Sequence, residues 1–148
     1  MDVLIEYLND FKRKLDISEI FNFVISTELK ELIIELNQDQ LYDLGEDSKG
    51  NKLWSFSPSM PYSPYTIKIK QAKGQPTDRL TLRDTGAFYK SFTVEVEGTS
   101  IVLDADGQKQ NTNLFSQYGI DILGLNDQNM SIFLERLTND VIFYIKEK

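Results

Sequence analysis

The stretch Leu82-Arg83-Asp84-Thr85-Gly86-Ala87-Phe88-Tyr89-Lys90-Ser91-Phe92-Thr93-Val94-Glu95-Val96-Glu97-Gly98-Thr99-Ser100-Ile101-Val102-Leu103 decides the fold. Its second half alternates: Phe92, Val94 and Val96 point one way, and Thr93, Glu95 and Glu97 the other, which is the period of a half-buried strand. Gly98-Thr99 fits a two-residue hairpin turn with glycine first, and Ile101, Val102 and Leu103 supply the returning strand. Its first half reads as a short helical turn over residues 85–90. Asp84 is placed to cap that turn, with Thr85 able to share the work. Gly86 permits a close approach or an unusual dihedral angle. Phe88 and Phe92 then face the core.

Downstream, Asp104-Ala105-Asp106-Gly107 leads into a polar loop over residues 108–113. A short aromatic segment follows and ends at Gly119. Residues 120–125 are apolar and interrupted by Gly124. Asn126 or Asp127 caps a last helix with the stripe Met130, Phe133, Leu134, Leu137, Val141 and Ile145.

Upstream, residues 45–82 hold all four prolines, and three of them, Pro58, Pro61 and Pro64, sit with serines among Trp54, Phe56, Tyr62 and Tyr65. They read as irregular chain, not helix. Only Thr66-Ile67-Lys68-Ile69-Lys70 suggests a strand or the start of a helix. Before them, Val3, Leu4, Tyr7, Leu8, Phe11 and Leu15 form one helical stripe. Ser18 can cap a second helix running from Phe21 through Leu36, and the glycines of residues 45–50 end it. The expectation is one α+β domain over residues 1–148: helical over 1–44, an aromatic and proline-bearing loop over 45–82, and a hairpin plus C-terminal helix over 83–148. Long N-terminal helices and the C-terminal helix would pack on a small antiparallel sheet.

Composition narrows the function classes. The 148 residues carry a net charge of −7 and hold neither cysteine nor histidine. A free-standing nucleic-acid binder needs a surplus of Lys and Arg, so that class is disfavoured, although an acidic wall would let DNA slide past. Dense carboxylate arrays of the kind a DNA mimic needs are not evident. Catalysis of the Ser-His-Asp or Cys-His kind is excluded within this chain, and the usual zinc ligands are missing. The N-terminus is charged early and is not a signal peptide. No apolar run reaches membrane-spanning length, so no membrane partner is expected.

The motifs that suggest chemistry each have a plainer reading. Asp104 and Asp106 look like the start of a calcium loop, but the twelfth position is Phe115, not Glu. The glycines at 45 and 50 lack the Gly-Lys-Ser/Thr ending of a phosphate loop. Lys68, Lys70, Lys73 and Arg79 form a small basic run that could meet DNA or a head group, and more commonly marks a solvated face. No catalytic, cofactor-binding or metal-binding residue is assigned, and the chain is not expected to be an enzyme.

Residues 45–125 resemble the phage virion-morphogenesis, or tail-completion, family. The resemblance is carried by Trp54-Ser55-Phe56-Ser57-Pro58, by Tyr65-Thr66 with Lys68, Lys70 and Lys73-Gly74, and by the Leu82-to-Phe92 core. That core is similar to the family's Leu-x-x-Thr-Gly-x-Leu-x-x-Ser-hydrophobic signature, with Phe88 in place of the Leu. Leu114-Phe115-Ser116-Gln117-Tyr118-Gly119 and Ile122-Leu123-Gly124-Leu125 match the later segments. A family histidine is missing, and Ile120-Asp121 replaces an Arg-Pro pair. The resemblance implies a structural subunit of a tailed phage virion, assembled in the host cytoplasm, that forms a homo-oligomeric ring at the neck or tail top. Such a ring would contact a portal-side adaptor and tail proteins, with phage DNA passing nearby and no cofactor. It also implies that Leu82, Asp84, Thr85, Gly86, Phe88, Ser91 and Gly119 determine the fold. Residues 53–65 and 105–114 are the expected contact elements, with Trp54, Phe56, Tyr62, Tyr65, Asp106 and Lys109 as candidates. Two other readings remain: a small acidic phage-encoded inhibitor, and a metal-dependent enzyme using Asp104 and Asp106.

Overall fold

A computed structural model describes residues 3–6, 9 and 17–147. Residues 3–6 are helical, and Val3 and Leu4 are exposed. Tyr7, Leu8, Phe11 and Leu15, the rest of the expected first stripe, lie outside the described residues. The fold is α+β. Helix α1 spans Ile17–Val24 and α2 spans Thr27–Asp39, which runs into a π-helical turn, Gln40–Leu44. The single helix expected from Phe21 to Leu36 is therefore two. The physical reason is Ser26, whose backbone is extended and whose hydroxyl accepts from the amide of Leu29 at 3.3 Å, so a new helix starts there.

Gly45 ends the π-helical turn in the left-handed conformation, at φ 62°. A Cβ placed there would lie 3.0 Å from the Cβ of Arg79 and 3.1 Å from the carbonyl of Leu80. Glycine thus serves both the dihedral angle and the approach of the returning chain.

The region expected to be irregular is not wholly so. Helix α3, Pro64–Ala72, begins with Ser63 accepting from the amide of Thr66 at 3.2 Å and with proline in its first turn. Proline has no amide hydrogen to lose at that position, so it favours a helix start. This settles the ambiguous Thr66-to-Lys70 run as helix. The short helix α4, Ala87–Lys90, leads into strand β1, Thr93–Glu97, which pairs antiparallel with β2, Ser100–Asp104. Gly98, at φ 62°, opens the turn between them. The polar loop of residues 108–113 forms a second small hairpin, β3 (Gln108–Lys109) with β4 (Thr112–Asn113). Helix α5, Leu114–Tyr118, is capped by Asn113 and ends at Gly119. A 3₁₀ turn over Ile120–Ile122 precedes α6, Asp127–Glu147. Asn126 caps that helix, accepting from the amide of Asn129 at 2.9 Å.

Two apolar clusters form the interior. One gathers Val24, Ile25, Leu29 and Ile33 with Val94 of the hairpin and Phe133 and Tyr144 of α6. The other gathers Leu41, Leu53, Tyr62, Leu80, Phe88, Phe92, Leu114 and Ile122. Ile34 and Leu103 touch both.

Between the clusters run two buried amides of α2 and its π-helical extension. The Asn37 amide group donates to the carbonyl of Ile122 at 3.1 Å, and its oxygen accepts from the amide of Gly124 at 2.9 Å. The Gln40 oxygen accepts from the amide of Asn126 at 2.7 Å and from the Asn129 side chain at 3.2 Å. Its amide nitrogen donates to the carbonyl of Gly124 at 3.3 Å. Replacing Asn37 by Leu leaves two backbone groups unpaired, each costing about 1–3 kcal/mol. Urea denaturation of Asn37→Leu should show a loss of at least about 2 kcal/mol, whereas Asn139→Leu on the exposed side of α6 should lie within about 0.5 kcal/mol of the parent.

Candidate functional groove

The Leu82-to-Phe92 joint borders a groove of about 760 Å³, together with α3, the β3–β4 hairpin and α5. Between its lining residues Leu80 and Leu82 lies one residue held on both sides. The amide of buried Thr81 donates to the hydroxyl of Tyr62 at 3.0 Å, and its carbonyl accepts from the hydroxyl of Tyr89 at 2.5 Å. Both polar groups of one peptide residue are therefore clamped by tyrosines from different elements. Burial pushes the Tyr89 hydroxyl well above the ordinary phenol range, so it stays a donor. The next residue, Leu82, sits at φ 56°, a left-handed conformation that costs a non-glycine residue about 1 kcal/mol or more. The clamp on Thr81 fixes the chain on the N-terminal side of that turn.

The expected capping by Asp84 does not occur. Helix α4 is entered through Gly86 at φ 87°, with no side-chain cap, and Thr85 accepts from the amide of Ala87 at 3.3 Å. Asp84 instead lines the groove, 2.9 Å from the amine of Lys73 and 3.5 Å from that of Lys109. The Lys73 hydrogen bond above all holds its carboxyl below the ordinary 3.8. Ser91 ties the joint to the following loop: its hydroxyl donates to the carbonyl of Phe88 at 2.6 Å and accepts from the amide of Asp106 at 2.9 Å. Phe88 is buried, with its ring 5.0 Å from Phe92 and 6.2 Å from Phe115. Gly119, away from the joint, closes α5.

Of the expected contact residues, Trp54, Phe56 and Tyr65 are exposed at 46%, 56% and 75%. Tyr62 is not a surface residue. It is 6% exposed, because its ring packs in the second cluster and its hydroxyl holds Thr81. Asp106 is exposed, but its carboxylate accepts from the amide of Gln108 at 2.9 Å in a local turn. Lys109 lies at the groove through its pair with Asp84. Among the described residues no three carboxylates converge on a metal position, and Asp104 accepts from its neighbour's amide at 2.8 Å.

The basic run does not form one patch. Lys70 folds inward to 8% exposure, its amine 4.7 Å over the ring of Tyr62 and 3.3 Å from the Gln75 side-chain oxygen. Arg79 turns away, donating to the carbonyl of Tyr42 and pairing with Asp78. Lys70 and Lys73 line the groove with Arg83 and Lys109. Sequence reading missed this gathering, because Lys109 is remote from the run and only the fold brings it to Lys70, Lys73 and Arg83 while turning Arg79 away.

Helix α2 and the π-helical turn after it carry a different pattern. Glu31, Glu35, Asp39 and Asp43 recur every four residues from α2 into the turn, and all four are exposed. Desolvation, then Asp43 and Glu35, raise the carboxyl of Asp39 above its ordinary value. Among the described residues none of the four forms a salt bridge. The four-residue acidic spacing is legible in the sequence, beside the apolar stripe of the same helix.

Compared with protein-family models, with curated proteins and with solved structures, the chain gives no match. Among the described residues no helix is long and apolar enough to cross a membrane.

The two shifted carboxylates predict opposite pH behaviour. A lowered folded value means that Asp84 stabilises the fold above the ordinary carboxylate range and that this contribution is lost as pH falls through its folded value. A raised value means that Asp39 opposes folding above its folded value and that the penalty disappears as pH falls. Asp84→Asn should therefore destabilise at pH 7 by under about 1 kcal/mol, given its solvent screening, with the difference closing toward pH 3. Asp39→Asn should stabilise at pH 7 by roughly 0.5 kcal/mol, from two relieved like-charge pairs, with the gain shrinking as pH falls through the raised folded value. Urea denaturation at pH 7, 5, 4 and 3 reads both signs. Tyr62→Phe, which orphans the buried amide of Thr81, should cost about 1–3 kcal/mol at every one of these pH values.

Proposed function

We propose that this protein is a structural subunit of a tailed bacteriophage particle, acting through protein contacts at the head-tail junction or tail top without turnover. The observation that carries the reading is the Leu82-to-Phe92 segment. It resembles the tail-completion signature in residue type and order, and the same residues make one joint that runs straight into the β1–β2 hairpin. Left-handed Leu82, the Thr85 turn, Gly86, buried Phe88 and bridging Ser91 each have a structural task there, and none is poised for chemistry. Exposed Trp54, Phe56 and Tyr65 support it further, since aromatic side chains bring large contact area at low entropy cost. Ring subunits meet through unlike surfaces that close on themselves, and a protein of net charge −7 would line a DNA path without gripping it.

The test is the composition of the particle. Mass spectrometry of gradient-purified virions from the source phage should find the chain in a fixed ratio of several copies per portal ring. Electron microscopy should place it at the neck or tail top, and particles made without it should show heads and tails that fail to join. Its absence from purified virions would falsify the reading.

A further inference from the structure

The charge on this molecule is unevenly placed. The chain is strongly acidic, yet the groove is lined by four cations, Lys70, Lys73, Arg83 and Lys109, against the single carboxylate of Asp84. Lys70 is held nearly out of water by the Tyr62 ring and Gln75, and Arg83 lies 5.5 Å and 5.7 Å from the ring centroids of Tyr42 and Tyr89. Neither has a carboxylate partner among the described residues. The groove therefore keeps unneutralised positive charge. Glu31, Glu35, Asp39 and Asp43 form the opposite feature, an exposed acidic stripe about 18 Å long by helical rise. Like charges four residues apart weaken the helix that carries them, so the stripe works against the stability of the isolated chain. One surface in search of carboxylates and one carrying four without cationic partners are thus present on one molecule.

We propose that the groove is the docking site for the acidic stripe of a second copy of this chain, in a head-to-tail contact. The inference deepens the reading of a ring subunit and rests on it for the expectation that the contact repeats and closes. Charge complementarity of this kind fixes register and speeds encounter. Where each copy gives its stripe to one neighbour and its groove to another, the contact propagates and can close into a ring. A double-stranded nucleic acid is disfavoured as occupant, because the stripe and the net charge repel phosphate around a groove of about 760 Å³.

A charge-swap experiment on the full chain tests this. Sedimentation velocity and mass photometry of the wild type should show species larger than a dimer that weaken at least tenfold in affinity between 50 and 500 mM salt. Arg83→Glu/Lys109→Glu and Glu35→Lys/Asp39→Lys should each be monomeric, and an equimolar mixture of the two should associate again with alternating composition. Thermal melts guard against unfolding. The neutral variant Glu35→Gln/Asp39→Asn should melt no lower than the wild type and still associate at least tenfold more weakly, a combination that loss of folding cannot produce. A wild type that stays monomeric, one that stops at two copies, or a mixture that fails to recover association sinks the proposal. So does a monomeric chain whose groove takes up a poly-glutamate peptide or a DNA oligonucleotide. The two readings fail separately: groove variants that still enter virions refute the contact alone, and a working charge swap in a protein missing from virions refutes the particle assignment alone.

Discussion

Asn37 and Gln40 tie together by hydrogen bonds the two apolar clusters that Ile34 and Leu103 join by packing. Helix α2 contributes Leu29 and Ile33 to one cluster, and the turn that follows contributes Leu41 to the other. The chain from Ile122 to Asn126 passes between them with backbone groups that must be paired once they leave water. The two amides take up the carbonyls of Ile122 and Gly124 and the amides of Gly124 and Asn126. Isosteric apolar side chains would fill the same space and strand those groups, so the constraint is one of pairing and not of volume. The start of α6 follows from it, because Asn126, fixed through Gln40, is also the residue that caps that helix. Asn129 reaches back to the carbonyl of Leu36 and completes the link.

The sequence made part of this architecture legible for physical reasons. Alternation in residues 92–97 and glycine at 98 are local signals, and strand, turn and partner followed them. The capping of α6 by Asn126 was equally local. Misreadings arose where a distant partner decided. Asp84 has the type and position of a helix cap, but the lysines at 73 and 109 reach it and the helix starts at Gly86 without it. Tyr62 looks like one more aromatic of a surface loop until the fold brings it beneath Thr81. Asn37 and Gln40 gave no signal, since amides on a helix ordinarily face water and their burial depends on a segment some 85 residues away in the chain.

The candidate groove follows the same logic. Its lining residues come from α3, the joint, the second hairpin and α5, and no window of sequence contains more than a fraction of them. The basic run was visible, but the fold divides it: Lys70 and Lys73 go to the groove, and Arg79 goes to the carbonyl of Tyr42. The exposed aromatic stretch around Trp54 and Phe56 was visible too, and it is braced by Ser55 and Ser57 bonding to Pro61 and Met60 across a tight bend.

The tyrosine clamp on Thr81 has a consequence for how the groove responds when filled. With both the amide and the carbonyl of that residue engaged, and Leu82 held in a left-handed turn immediately after, the backbone that carries the lining residues Leu80 and Leu82 has few alternative states to lose. An arriving surface meets a receptor whose shape is set before contact, so the entropic penalty of ordering it on arrival is small. Recognition beside such a braced segment is closer to rigid fitting than to adaptive moulding, and selectivity among rival occupants then rests on shape and charge already in place.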